Sequence, residues 1–140
     1  MIVLDASVVV ELLTNGPSAD SVRQQLSAHD EAFIAPHLVD VEVMSAIRNL
    51  AAGRRIDPHR SEQILRGLAM LPVERYPYTP LLNRIWELRH NFTAYDAAYI
   101  ALAEATNAVL YTCDEKLSRG HHARVALFEK PQAESTQVIA

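Results

Sequence analysis

Four acidic residues occupy positions that an ordinary solvated surface does not explain: Asp5, Glu42, Asp96 and Asp114. Asp5 closes the apolar run Ile2-Val3-Leu4, and Asp114 follows Ala108–Tyr111 with only Thr112 and Cys113 between. Asp96 is the one charge near the start of an otherwise apolar stretch, and Glu42 sits within Leu38-Val39-Asp40-Val41-Glu42-Val43-Met44. An ionised carboxylate placed against a core is costly unless it is paired or holds a metal. Carboxylate oxygens are hard ligands that suit Mg²⁺ or Mn²⁺ and disfavour zinc. Such ions orient a phosphate, lower the pKa of bound water and stabilise a leaving oxygen. Ser7 and Thr112 stand close enough to Asp5 and Asp114 to orient them as hydroxyl donors.

Each acid taken singly has a plainer explanation. Asp5 and Asp114 could cap the helices that follow them, and Thr93-x-x-Asp96 has the form of a capping box. Asp40 competes with Glu42, but two residues along a helix turn a side chain by about 200°, so the two face nearly opposite ways. Caps do not explain two strand-end acids together with two acids in apolar helices. Spacing alone therefore supports an acidic metal site and nothing finer.

The elements that must position these acids can be read from periodicity. Short apolar runs at Ile2–Leu4, Ala32–Ala35, Val73–Tyr76, Ala108–Tyr111 and Val125–Phe128 predict strands, the third near a sheet edge because prolines flank it. Helices are expected over Val8–Leu13, from Pro17, from about Leu38 to Ala52 with Gly53 as its cap, from Pro58, from Thr79-Pro80 and from Thr93. The last is apolar almost all round and should be central and buried. A short helical turn is expected at Glu115–Ser118. Continuous apolar strands alternating with helices indicate a parallel sheet covered on both faces, a three-layer α/β/α domain. In such sheets ligand sites form at the carboxyl ends of strands, where Asp5 and Asp114 would lie.

Composition narrows the class. The chain has 140 residues, 49% of them hydrophobic, with four glycines and seven prolines, which suits one domain over 1–130 and a short polar tail over 131–140. A single cysteine, Cys113, leaves no intramolecular disulfide and no cysteine-based zinc cage. No apolar run approaches the roughly 20 residues of a membrane span, and no signal-peptide pattern opens the chain, so a cytoplasmic location is expected. The net charge of −4 does not advertise a nucleic-acid binder, although Arg48, Arg54, Arg55, Arg60 and Arg66 fall in one short stretch.

Ile2-Val3-Leu4-Asp5-Ala6-Ser7, Ala35-Pro36 followed by Glu42, Tyr95-Asp96-Ala97-Ala98-Tyr99-Ile100-Ala101-Leu102-Ala103 and Leu110-Tyr111-Thr112-Cys113-Asp114 together resemble PIN domains. More narrowly they resemble the VapC ribonuclease toxins of bacterial toxin–antitoxin pairs, over about Met1 to Phe128. The resemblance implies a five-stranded parallel sheet of order 3-2-1-4-5. It implies that Asp5, Glu42, Asp96 and Asp114 hold Mg²⁺ or Mn²⁺, with Ser7 and Thr112 supporting them. It further implies a homodimer, a small VapB-like antitoxin partner and a structured RNA substrate, commonly tRNA or ribosomal RNA. Many relatives carry Thr where Ala6 stands, and the only extra acid close to Asp114 is Glu115.

Other readings fare worse. An aspartate-nucleophile phosphatase needs a second acid where Ser7 stands, and a dinucleotide fold needs a glycine-rich first turn that Asp5-Ala6-Ser7-Val8 lacks. The alternatives carried forward are a non-catalytic PIN-like interaction module and a housekeeping RNA-processing nuclease. The six histidines form no metal spacing. Tyr95, Tyr99 and Trp86 are expected in the core, and Arg48, Arg54 and Arg55 are candidates for contact with RNA or antitoxin.

Overall fold

The computed structural model describes residues 1–129. The expected polar tail, 131–140, lies outside them. Strands β1 (Ile2–Leu4), β2 (Phe33–Pro36), β3 (Val73–Tyr76), β4 (Val109–Thr112) and β5 (Arg124–Leu127) pair in parallel in the order β3-β2-β1-β4-β5. This is the α/β architecture and strand order expected. β1 is buried along its whole length, which accounts for its unbroken apolar run. β3 lies at one edge, and its exposed Glu74 marks an alternation that the central strands lack.

Helices α1 (Ala6–Thr14), α2 (Ala19–Ser27), α3 (Val39–Ala52), α4 (Pro58–Met70), α5 (Leu82–Glu87) and α6 (Ala94–Thr106) complete the domain. α6 lies across β1, β2 and β4 with α5 against it, while α1 packs on α2, α3 and α4. All seven residues from Ala97 to Ala103 are buried, so α6 is the central helix its composition predicts. Two alanines at the start of that run let the helix approach the sheet closely.

Connections are set by local chemistry. Asn15 ends α1 in the left-handed region at φ 54°, and the buried Glu11 carboxylate accepts from Ser18 N at 3.0 Å to hold the entry to α2. A Cβ at Gly16 would overlap that carboxylate, so a larger residue there would have to displace Glu11 from Ser18. Asp57 caps α4 by accepting from Arg60 N at 2.9 Å, with Pro58 in the first turn.

The structure corrects several expectations. The segment from Thr79 starts as a 3₁₀ turn, Thr79–Leu81, before α5 begins at Leu82, and β5 starts one residue before Val125. Trp86 and Tyr95, expected in the core, are 67% and 63% exposed. Ile85 and Leu88 carry the inward face of the α5 segment, which turns Trp86 outward, where the Arg89 guanidinium stacks 4.5 Å from its ring centre. Tyr95 precedes the buried run of α6 and stays at the rim, whereas Tyr99 is fully buried as expected.

Candidate active site

The chain leaves β1 toward β2 on one side and returns as β4 on the other, so β1 and β4 are neighbours at the point where strand order reverses. Asp5 and Asp114 leave the carboxyl ends of these strands side by side. Asp5 N donates to Tyr111 O at 3.0 Å, extending the ladder by one bond. Ser7 Oγ donates to Asp5 Oδ2 at 2.7 Å, and Thr112 Oγ1 donates to the same oxygen at 2.8 Å. Each hydroxyl also accepts a backbone N–H from the β4 side, Ser7 from Cys113 at 3.0 Å and Thr112 from Asp114 at 3.0 Å. Two hydroxyls therefore lock the Asp5 carboxylate and join both strand ends. The hydroxyl donation expected of Ser7 and Thr112 falls, in both cases, on Asp5.

Asp5 makes no capping bond to α1, so that plainer explanation does not describe it. Asp114 does cap: its Oδ1 accepts from Lys116 N at 3.0 Å at the start of the 3₁₀ turn Glu115–Ser118. Its other oxygen, Oδ2, stands 3.9 Å from Lys116 Nζ. Asp96 sits in the first turn of α6, where Thr93 Oγ1 caps the helix by accepting from Asp96 N at 3.2 Å. The cap uses the backbone of Asp96 and the side chain of Thr93.

Arg75 separates Asp40 from Glu42, the acid that the resemblance favours. Arg75 donates Nη2 to Asp40 Oδ1 at 2.8 Å and Nε to Oδ2 at 3.3 Å, a two-pronged pair across α3 and β3. The same guanidinium donates to the carbonyls of Leu68, Leu71 and Val73. Asp40 is thus tied into the frame at the sheet edge, and Glu42 turns the other way toward Tyr99, Asp5 and Asp96. The Tyr99 hydroxyl and Glu42 Oε1 are buried near one another, yet neither makes a hydrogen bond of ordinary geometry.

Burial raises the carboxyl of Asp5 above its ordinary range, against the two hydroxyl donors that favour the anion; the Asp96 charge raises it further. Burial also raises Glu42, a rise that Tyr99 opposes and the charges of Asp5 and Asp96 add to. Asp96 is raised by burial, then lowered by Lys116 and raised again by Asp114. Three acids from β1, α3 and α6 feel one another, and Asp96 links them to the acid after β4. Burial and Glu42 together push the Tyr99 hydroxyl far upward, so it stays protonated.

Such a set has the chemistry to accept a hard cation. The donors are all oxygens, Glu42 Oε1 is buried without a partner, and the like charges raise one another. Among the described residues no three His, Cys, Asp or Glu side chains form a closed cage as they stand. Asp5, Glu42, Asp96 and Asp114 fit such a cation in type and setting.

A model of the PIN domain matches residues 2–122. The chain belongs to the PIN-domain family. This PIN domain is similar to the VapC ribonuclease Mb0985 of Mycobacterium bovis, 42% identical over 132 residues that cover 94% of this chain and 100% of that protein. It is similar also to Ribonuclease VapC12 of Mycobacterium tuberculosis, 40% identical over 129 residues, 91% of this chain and 98% of the relative. In fold it resembles the crystal structure of VapBC2 from Rickettsia felis bound to a DNA fragment from its promoter. That match has a TM-score of 0.69 at 17% identity and covers 92% of this chain and 100% of the other.

The PIN fold does not bring the arginines to the acids. Arg54 and Arg55 lie beyond the end of α3 at Ala52, itself about 15 Å along the axis from Glu42 at ~1.5 Å per residue. Arg48 is exposed and lines an apolar groove with Val41, Met44 and Leu65. Glu115 is exposed and stands 4.0 Å from the Arg119 guanidinium. Two residues of the site escape the sequence: Lys116, whose ammonium stands between Asp96 and Asp114, and Arg75, which holds Asp40. A basic residue two places after a strand-end acid is the available signal for Lys116; Arg75 leaves none. Among the described residues no helix is long and apolar enough to cross a membrane.

Proposed function

We propose that this PIN domain is the toxin of a toxin–antitoxin pair, a Mg²⁺- or Mn²⁺-dependent endoribonuclease that hydrolyses phosphodiester bonds of structured RNA such as tRNA or rRNA. The observation that supports the reading is the buried, unpartnered oxygen on Glu42, whose carboxyl is raised by burial and further by the charges of Asp5 and Asp96. The similarity to proteins named VapC ribonucleases supports RNA as the substrate. The similarity to VapC ribonucleases, together with the fold shared with the VapBC2 structure, supports a small VapB-like antitoxin as partner, and the toxin would act as a homodimer.

Asp5, Glu42, Asp96 and Asp114 would hold the ion, which when bound supplies an activated water and a counter-charge for the phosphate. The protein's own part is to keep the carboxylates ionised and aimed. Ser7 and Thr112 fix the rotation of Asp5 through Oδ2. Thr93 fixes the first turn of α6 and so the reach of Asp96. Tyr99, protonated and buried, favours the anionic form of Glu42.

Purified protein incubated with total RNA tests the proposal. Cleavage should appear with Mg²⁺ or Mn²⁺, stop in EDTA and return when the ion is restored. Cleavage indifferent to EDTA, or none with either ion present, would count against it.

A further inference from the structure

Lys116 is the only lysine among the described residues, and it stands beside the acids. Its ammonium lies 4.0 Å from Asp96 Oδ2 and 3.9 Å from Asp114 Oδ2. Those distances are nearly equal and long, whereas a committed charge-assisted bond closes to roughly 2.8 Å. One ammonium is therefore shared by two carboxylates and locked to neither. Its backbone is fixed, because Lys116 N donates to Asp114 Oδ1 at 3.0 Å and the next residue, Leu117, is wholly buried. Its side chain is 71% exposed, a flexible stem on a rigid base. The nearby Arg119 faces Glu115 and leaves the gap to Lys116.

A dication entering between Asp96 and Asp114 replaces one positive charge with two and repels the ammonium already there. An exposed stem can swing outward without disturbing the turn, and an ammonium freed from the carboxylates is a fitting point charge for a phosphate oxygen. We propose that Lys116 is the resident cation of the Asp96–Asp114 gap, displaced by the divalent ion and then turned onto a non-bridging oxygen of the RNA phosphate. This rests on the ion-dependent ribonuclease reading above. Lys116 is then a positioning residue for substrate and a brake on ion binding at once.

The test compares wild type, Lys116→Met and Lys116→Arg in two measurements. Titrating RNA-free protein with Mn²⁺ by calorimetry, Lys116→Met should bind the ion roughly three- to tenfold more tightly, the effect of removing one exposed like charge at about 4 Å. In steady-state cleavage of bulk tRNA at saturating Mn²⁺, the same variant should raise KM several-fold while Lys116→Arg keeps it close to wild type. Ion affinity that is unchanged or weaker in Lys116→Met overturns the displacement, and an unchanged KM overturns the phosphate contact. Wild type that takes up no Mn²⁺ at all overturns the ion site itself, and this inference with it.

Discussion

Thr112 Oγ1 donates to Asp5 Oδ2 at 2.8 Å while accepting from Asp114 N at 3.0 Å, so one hydroxyl sets the geometry of acids on two different strands. Thr112→Val keeps the shape, removes both bonds and leaves a buried carboxylate oxygen short of a donor. Loss of such a supporting partner should lower ion affinity or cleavage about 10- to 100-fold. Ser7→Ala, which removes the other donor to Oδ2, should act in the same direction. Cleavage rates of RNA across a Mn²⁺ titration check both.

Asp40 and Glu42 should separate stability from activity. Asp40→Ala strands the part-buried Arg75 guanidinium and should cost roughly 1–3 kcal/mol of stability with cleavage largely kept. Glu42→Gln should abolish cleavage and leave the fold intact. Urea unfolding beside an RNA cleavage assay distinguishes the two, and a reversed pattern would mean that Asp40 serves the site.

The ion-free protein should show the strain of its acids in its pH dependence. Asp5, Glu42 and Asp96 all have folded-state carboxyls raised above the ordinary range, burial being the largest cause in each. A raised acid binds its proton more tightly in the folded state, so the folded state holds more protons and stability falls as pH rises. The window opens at the ordinary carboxylate pKa of roughly 4 and extends upward through the raised folded values. In EDTA at pH 7, Glu42→Gln should therefore melt above wild type, and the gap should narrow toward pH 5. Saturating Mn²⁺ should reverse the order at pH 7. Thermal melts of both proteins across this range check the sign.

Trp86 should be dispensable for folding. A buried tryptophan truncated to alanine costs about 3–5 kcal/mol. Trp86 is 67% exposed, so Trp86→Ala should stay within about 1 kcal/mol of wild type in urea unfolding.

Trp86 also shows where a single sequence stops being legible. The parallel sheet, the burial of α6 and the strand-end placement of Asp5 and Asp114 follow from short-range signals, namely apolar runs, caps and the fixed logic of parallel sheets, whereas the strand order comes from the resemblance to PIN domains. Which way a short helix such as α5 turns its largest residue depends on what packs beneath it, and one sequence does not carry that. The same limit hides Arg75, whose partner Asp40 is 35 residues away. The helical phase of α3 could oppose Asp40 to Glu42 and the resemblance favours Glu42, but the pairing of Asp40 with Arg75 at the edge is not legible. Tyr99 is legible as core; its hydroxyl meeting Glu42 is a product of α3 and α6 packing at the rim. Lys116 is legible only as a charge after a strand-end acid, since its reach to Asp96 depends on where α6 begins.

The most direct measurement is the rate of RNA cleavage by wild type and by Asp96→Asn as Mn²⁺ is raised from zero, both checked for the same fold by circular dichroism. Wild type should climb from no detectable cleavage to a plateau, and Asp96→Asn should stay at the baseline throughout. Cleavage at zero Mn²⁺ in EDTA, or an Asp96→Asn curve that reaches the wild-type plateau, would contradict a single carboxylate site that cuts RNA through a divalent ion.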